Sequence, residues 1–389
     1  MPSQRHRADK PVFYMSGIAS LFGSVADLKS FWNKYYLLCN MVVSKRNNLI
    51  DLLRFLAAIS VALFHIYCLV NHKPDSIYTY MFFNYGKLGV PMFFVISGYC
   101  IMIALNHAKT SMEFIIRRLF RIFPPYWFSL FFTAFILFSL KLLRGANSVV
   151  TVPKTGHDIL FTFSLLTYPL TKITVINWVY WTLPYEVLFY LAIFFCSFLK
   201  NNYFTLLLVF ITVGSCVIPS TDFGFLSFFK FWPPFGIGAA LFKILHDERS
   251  RQPINILLFC IALFSFHPAH QSLPFFIASM LTLVLIIISH YRPLMDNRVS
   301  QLGDISYSIY LIHVPLAVYC FGIYRELPLL KGNVFLNPLL DLVLLVIVIY
   351  ISKAMYQYVE LPSIDIGKRL SKILLKQKVP LLKKDLNRV

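Results

Sequence analysis

Three ionisable side chains stand in one apolar run, "LIDLLRFLAAISVALFHIY" at residues 49–67: Asp51, Arg54 and His65. Ionisable groups in a segment that could span a bilayer are costly and mark functional positions by default. Arg54 and His65 are eleven residues apart. At 100° per residue they share one helix face, about 16 Å apart along the axis. Asp51 and Arg54 are i,i+3 neighbours, placed to pair. The helix would carry a polar stripe with a guanidinium at one end and a proton-accepting imidazole at the other. An interfacial ion pair with a satisfied buried histidine fits the same spacing.

Three more stretches carry chemistry. In "EFIIRRLFRIFPPYW", residues 113–127, Arg118 and Arg121 are i,i+3 and Arg117 precedes Arg121 by four. This predicts a cationic helix face suited to phosphate, or plain basic anchoring at a membrane surface. In "INWVYWTLPYEVLFYLAIFF", residues 176–195, Glu186 lies in an apolar helix, where a carboxylate needs a partner or a proton. Asn177, Trp178, Trp181 and Thr182 stand at the mouth of that segment, and an interhelical hydrogen bond is the alternative role for Glu186. In "LGDISYSIYLIHVPLAVY", residues 302–319, Ser306, Tyr310 and His313 recur at helical spacing. They form either a packing seam or a stripe that turns His313 toward the cavity of His65. Together an imidazole, a carboxylate and an arginine cluster suit acyl transfer: a base for an attacking hydroxyl, a group to orient it, and cations for a polyanionic donor. The chain has no G-x-S-x-G elbow and no H-E-x-x-H pair, which disfavours hydrolase and zinc-protease chemistry.

The elements that must position these groups are membrane helices. Of the 389 residues 58% are hydrophobic and 14% charged, far below the roughly 25% charge of a soluble domain. Ten apolar segments are predicted, near 49–69, 87–105, 122–141, 181–199, 203–218, 225–245, 254–268, 272–290, 302–321 and 336–358. Prolines 124, 125, 219, 233, 234, 268 and 293 are expected to mark helix ends. With ten spans and both termini cytoplasmic, 25 Lys and Arg fall on the cytoplasmic side and 8 on the other, as the positive-inside rule requires. The net charge of +19 therefore reflects topology and does not call for nucleic acid. Seven cysteines stand singly in apolar surroundings, which predicts neither a disulfide framework nor a zinc or other metal site.

The expected organisation is all-α: a basic cytoplasmic arm over 1–48, a membrane domain over 49–360, and a basic amphipathic cytoplasmic tail over 361–389 on anionic lipid. Met41 is a second natural start. In the long loop at 142–180, "DILFTFSLLTYPL" is too short to span and reads as an interfacial or re-entrant helix.

The sequence resembles the membrane acyltransferase-3 family, which includes bacterial O-antigen and other polysaccharide O-acetyltransferases. The matching stretches are "IDLLRFLAAISVALFH", "LGVPMFFVISGYCI", "RRLFRIFPPYW", "WTLPYEVLFYL", "LGDISYSIYLIHVPL" and "YVELPSIDIGKRL", in family order over about residues 49–369. Thr182 stands where the family usually has Ser. The resemblance implies a stand-alone inner-membrane enzyme of a bacterial cell, with acetyl-CoA as cytoplasmic acyl donor and a polysaccharide or lipid-linked glycan hydroxyl as acceptor. Arg118 and Arg121, with Arg117 beside them, would then contact CoA phosphates. His65 would be base or transient acyl carrier, Arg54 would position donor or His65, and Glu186 would be the partner carboxylate. Trp181, Thr182, Ser306, Tyr310 and His313 would border the substrate. Succinylation or acylation of exopolysaccharide or another glycan is the nearest alternative. A transporter of an anionic or acylated solute is the alternative of another class, disfavoured by the absence of repeat symmetry.

Overall fold

In a computed structural model of the chain, the described residues are 47–69, 84–144, 153, 155–219, 221–246, 252–266, 272–294, 300–320 and 336–386. The chain divides into two units, Met1–Asn47 and Asn48–Val389. The expected N-terminal arm lies outside the described residues, apart from its last two.

Among the described residues there are helices and turns and no strand. The helices are α1 (Asn48–Phe64), α2 (Gly89–His107), α3 (Ser111–Arg144), α4 (Gly156–Phe163), α5 (Leu183–Cys196), α6 (Asn201–Val217), α7 (Ser227–His246), α8 (Pro253–Phe264), α9 (Leu273–Tyr291), α10 (Ser306–His313), α11 (Leu336–Met355) and α12 (Leu361–Leu386). Within the described residues, each of the ten predicted apolar segments falls mainly on helix. Among the described residues, six stretches are long and apolar enough to cross a membrane: Asn48–Tyr67, Tyr85–His107, Ser111–Leu143, Trp178–Cys196, Leu273–Tyr291 and Leu339–Leu375. Helices α6 and α8 are apolar but shorter. Along α3, Phe128, Phe131, Phe135, Phe138 and Leu142 are all exposed and recur at three- and four-residue steps, an apolar face fit for lipid.

Prolines 124, 125, 233 and 234 do not end helices as expected; they lie inside α3 and α7. A proline within a helix leaves the carbonyl four residues earlier without its backbone donor, and neighbouring hydroxyls restore the bond. Pro124 thus frees the Phe120 carbonyl, which accepts from Ser363 Oγ at 2.9 Å. Two other prolines adjoin π-helical turns. Pro315 lies within Val314–Cys320, directly after α10, and Pro362 follows the turn Tyr356–Glu360 that joins α11 to α12. The Leu311 carbonyl, four residues before Pro315, accepts from Asn177 Nδ2 at 3.0 Å and Ser129 Oγ at 3.1 Å.

The core is an aromatic and small-residue seam. Phe94 of α2 stacks on Phe235 of α7 at 4.4 Å between ring centres, and Phe189 of α5 stacks on the same ring at 4.5 Å. Gly98 of α2 lies directly against the Phe235 carbonyl, and Gly238 of α7 against the Val95 carbonyl. Only a residue without Cβ allows two backbones this close.

The expected boundary at residue 360 falls inside one helical run from Leu336 to Leu386. Its C-terminal part packs on α3: beside the Ser363 bond, Gly367 abuts Phe120 and Arg117 Nε reaches Ser371 Oγ at 3.5 Å. In the loop at 142–180, the apolar stretch forms the short α4, started by a Thr155–Asp158 capping box.

Candidate active site

Helices α1, α2, α3, α5 and α10 surround a partly open cavity. Three guanidinium groups, Arg54, Arg118 and Arg121, line it together with the Glu186 carboxylate. The sequence places each of them there by helical register: Arg118 and Arg121 are one turn apart on α3, and Arg54 lies nearly two turns into α1. Arg54 Nη1 is 3.9 Å from Asp51 Oδ1, the expected i,i+3 neighbour.

Glu186 is held by two hydroxyls. Tyr190, one turn later on α5, donates to Oε1, and Ser97 of α2 donates to the same oxygen at 3.3 Å. The Tyr190 ring also carries Arg118, whose guanidinium carbon is 5.8 Å from the ring centre, within cation–π range. A second carboxylate, Glu360, is 1% exposed and accepts from Ser308 Oγ at 2.8 Å. It interacts electrostatically with Arg121 and Arg54. Two acids thus balance the arginines in a region of low dielectric, where unpaired cations would be costly.

Phe93, Thr182 and Tyr310 also line the cavity. Tyr310 donates its hydroxyl to the Val179 carbonyl at 2.6 Å and is hydrogen-bonded to Thr182 Oγ1. The Tyr310 ring lies 6.0 Å from that of His313, and the His313 ring 5.1 Å from that of His65. The imidazoles are joined by a hydrogen bond of 3.2 Å between His313 Nε2 and His65 Nδ1. His65 is half-buried and His313 fully buried.

The structure therefore gathers Arg54, Arg118, Arg121, Glu186, Thr182 and Tyr310 at the cavity, and sets His65 and His313 beside it behind Tyr310. Other residues named from the sequence lie apart from this group. Glu186 is not brought to His65: its hydrogen bonds come from Tyr190 and Ser97, while those of His65 go to Val61 and His313. Arg117 does not join the cationic face, because its guanidinium pairs with Glu113 one turn earlier on α3. Ser306 donates to the Gly303 carbonyl at 2.7 Å, and Trp181 packs on Phe231 at 5.3 Å, so neither reaches the cavity. Sequence reasoning missed Glu360, Ser97 and Tyr190. For Glu360 the signal was present, a lone carboxylate ending an apolar run, the same pattern that singled out Glu186.

Membrane-length helices around a pocket lined by three arginines and a carboxylate, with a histidine pair at its side, define a polytopic membrane enzyme. The chain belongs to the acyltransferase-3 family, whose profile, described as an acyltransferase domain, matches residues 47–356. It is an O-acyltransferase. It is also similar to the protein named "Putative acetyltransferase ORF330" of Acidianus two-tailed virus, with 26% identity over 285 residues, covering 67% of this chain and 81% of that one. No solved structure gives a significant match.

Proposed function

We propose that this enzyme transfers an acetyl group from cytoplasmic acetyl-CoA to a sugar hydroxyl of a surface polysaccharide, lipopolysaccharide O-antigen foremost, at a bacterial inner membrane. In this reading the ten apolar segments all cross, and both termini are cytoplasmic. The observation that carries it is the placement of an arginine-lined cavity next to the imidazole pair. The donor's phosphates are the polyanion that Arg118, Arg121 and Arg54 would hold. Arg54 and His65 lie about 16 Å apart along α1 and the turn that follows it, a span for the pantetheine arm between the phosphates and the thioester.

His65 acts as general base. It takes the proton of the attacking hydroxyl as the oxygen bonds to the thioester carbonyl carbon. The C–S bond then breaks, and the departing CoA thiolate takes that proton back from the imidazolium. Glu186 and Glu360 position the arginines and take no proton in this scheme. Thr182 and Tyr310 form the wall that the acyl group passes.

The test is a purified enzyme assayed with acetyl-CoA, succinyl-CoA and extracted polysaccharide. Acetylated glycan and free CoA are expected in equal amounts from the parent. His65→Ala should lower turnover by about 10²–10⁴-fold, the usual contribution of a general base. Near-parental turnover by His65→Ala would remove His65 from the chemistry. Solute flux into vesicles without any acyl-CoA would favour a transporter instead.

A further inference from the structure

We infer that His313 is the positioning residue that fixes His65 as a base through Nε2, the role the family resemblance gave to Glu186. This rests on the acyl-transfer reading above and adds to it the identity of the group that orients the base.

The argument is one of hydrogen atoms. A backbone carbonyl only accepts, so a ring nitrogen bonded to it must carry hydrogen. His65 Nδ1 lies 2.9 Å from the Val61 carbonyl oxygen, and His313 Nδ1 lies 3.0 Å from that of Ile309. Both Nδ1 atoms are therefore N–H. A neutral His313 then has its lone pair on Nε2, the atom 3.2 Å from His65 Nδ1. The His65 Nδ1–H is shared between the Val61 oxygen and His313 Nε2, and the basic lone pair of His65 is left on its own Nε2. A hydrogen on His313 Nε2 would point at the hydrogen on His65 Nδ1. One neutral arrangement satisfies all of these contacts.

Both rings stand at the same place in their helices, where α-helix passes into a π-helical turn: His65 opens His65–Leu69, and His313 precedes Val314–Cys320. Such turns cluster at functional sites. The end of α10 is also clamped. The Leu311 carbonyl, deprived of a donor by Pro315, is held by Asn177 and Ser129, and His313 itself is 0% exposed. The ring that aims His65 is thus fixed from two neighbouring helical segments. When His65 Nε2 receives a proton, its Nδ1–H bond to His313 becomes charge-assisted and stronger. The cation is then stabilised in the transition state without a charged partner buried in the resting enzyme.

The experiment compares His313→Ala and His313→Gln with the parent and with His65→Ala. A glutamine oxygen can occupy the Nε2 position and accept the His65 Nδ1–H. His313→Ala should lower kcat about 10²-fold, within the range for a mis-set general base, with donor KM changed less than about twofold. His313→Gln should recover about tenfold of that loss, since it restores the acceptor. A second measurement needs no reaction: ¹⁵N NMR of histidine-labelled protein, assigned through His65→Ala, should show His65 protonated on Nδ1 in the parent. The inference is overturned if His65 carries its hydrogen on Nε2, if His313→Ala keeps parental kcat, or if glutamine restores nothing over alanine. Parental kcat in His313→Ala beside a dead His65→Ala overturns the pairing alone. Survival of His65→Ala overturns the base assignment and the pairing with it.

Discussion

Gly98→Ala, a substitution of one methyl group, should damage this enzyme at a distance from its histidines. An added Cβ at Gly98 would lie against the backbone of Phe235, with the carbonyl carbon at 2.9 Å and Cα at 3.1 Å. At Gly238 it would meet the Tyr99 nitrogen at 2.9 Å and the Val95 carbonyl carbon at 3.1 Å. Backbone cannot swing aside as a side chain can, so α2 and α7 must separate. Overpacking of this kind costs about 1–3 kcal/mol, and the upper end applies where backbone is struck. Alanine returns about 1 kcal/mol through its better helix propensity. A net loss of about 2 kcal/mol is expected for each single variant. The two share one seam, and a single separation relieves both contacts. Gly98→Ala with Gly238→Ala should therefore cost clearly less than the sum of the two single variants. Activity should fall as well, because Ser97, the neighbour of Gly98, bonds Glu186 at 3.3 Å, near the limit of such a bond. Reversible unfolding of purified protein in mixed micelles measures the first effect, and CoA release measures the second. Parental stability of Gly98→Ala, or full additivity of the pair, would refute the claim that these backbones touch.

Two further outcomes concern the cavity wall and its cations. Thr182→Ser keeps the hydroxyl that meets Tyr310 and should retain near-parental stability, while Thr182→Val should lose about 1–2 kcal/mol by thermal or denaturant unfolding. Arg121→Ala should raise the donor KM about tenfold or more, the worth of a hydrogen bond to a charged group, whereas Arg117→Ala, paired with Glu113, should leave it unchanged in the same titration.

Much of the architecture follows from apolar periodicity, since within the described residues each predicted segment is mainly helical. Spacing within one helix was equally legible: Asp51 with Arg54, Arg118 with Arg121, and Tyr310 a turn from Ser306 come out as register dictates. What spacing does not encode is which neighbour a helix faces. Glu186 meets Ser97 because α2 and α5 pack together, and His65 meets His313 because α1 lies beside α10. Those choices are made by long-range packing, through glycines and aromatic rings scattered over the chain. Proline misled for a related reason. Pro124 would end an isolated helix in water, yet here Ser363, 239 positions later, supplies the donor that the Phe120 carbonyl lacks. Arg117 differs from Arg118 by a single step, and the nearby Glu113 draws it away from the face it was expected to join.

The unbroken helix from Leu336 to Leu386 makes its π-helical turn at Glu360 and its contact with Phe120 three residues later. Ser308, bonded to Glu360, precedes His313 by five positions on α10, and Phe120 adjoins Arg121 on α3. This rod therefore grips the histidine-bearing helix with one residue and the arginine-bearing helix with the next turn. A tilt of its basic far portion, whether from lipid charge or from a bound neighbour, would reach the histidine-bearing and the arginine-bearing helix at once, as a crank turns two wheels on a common axle.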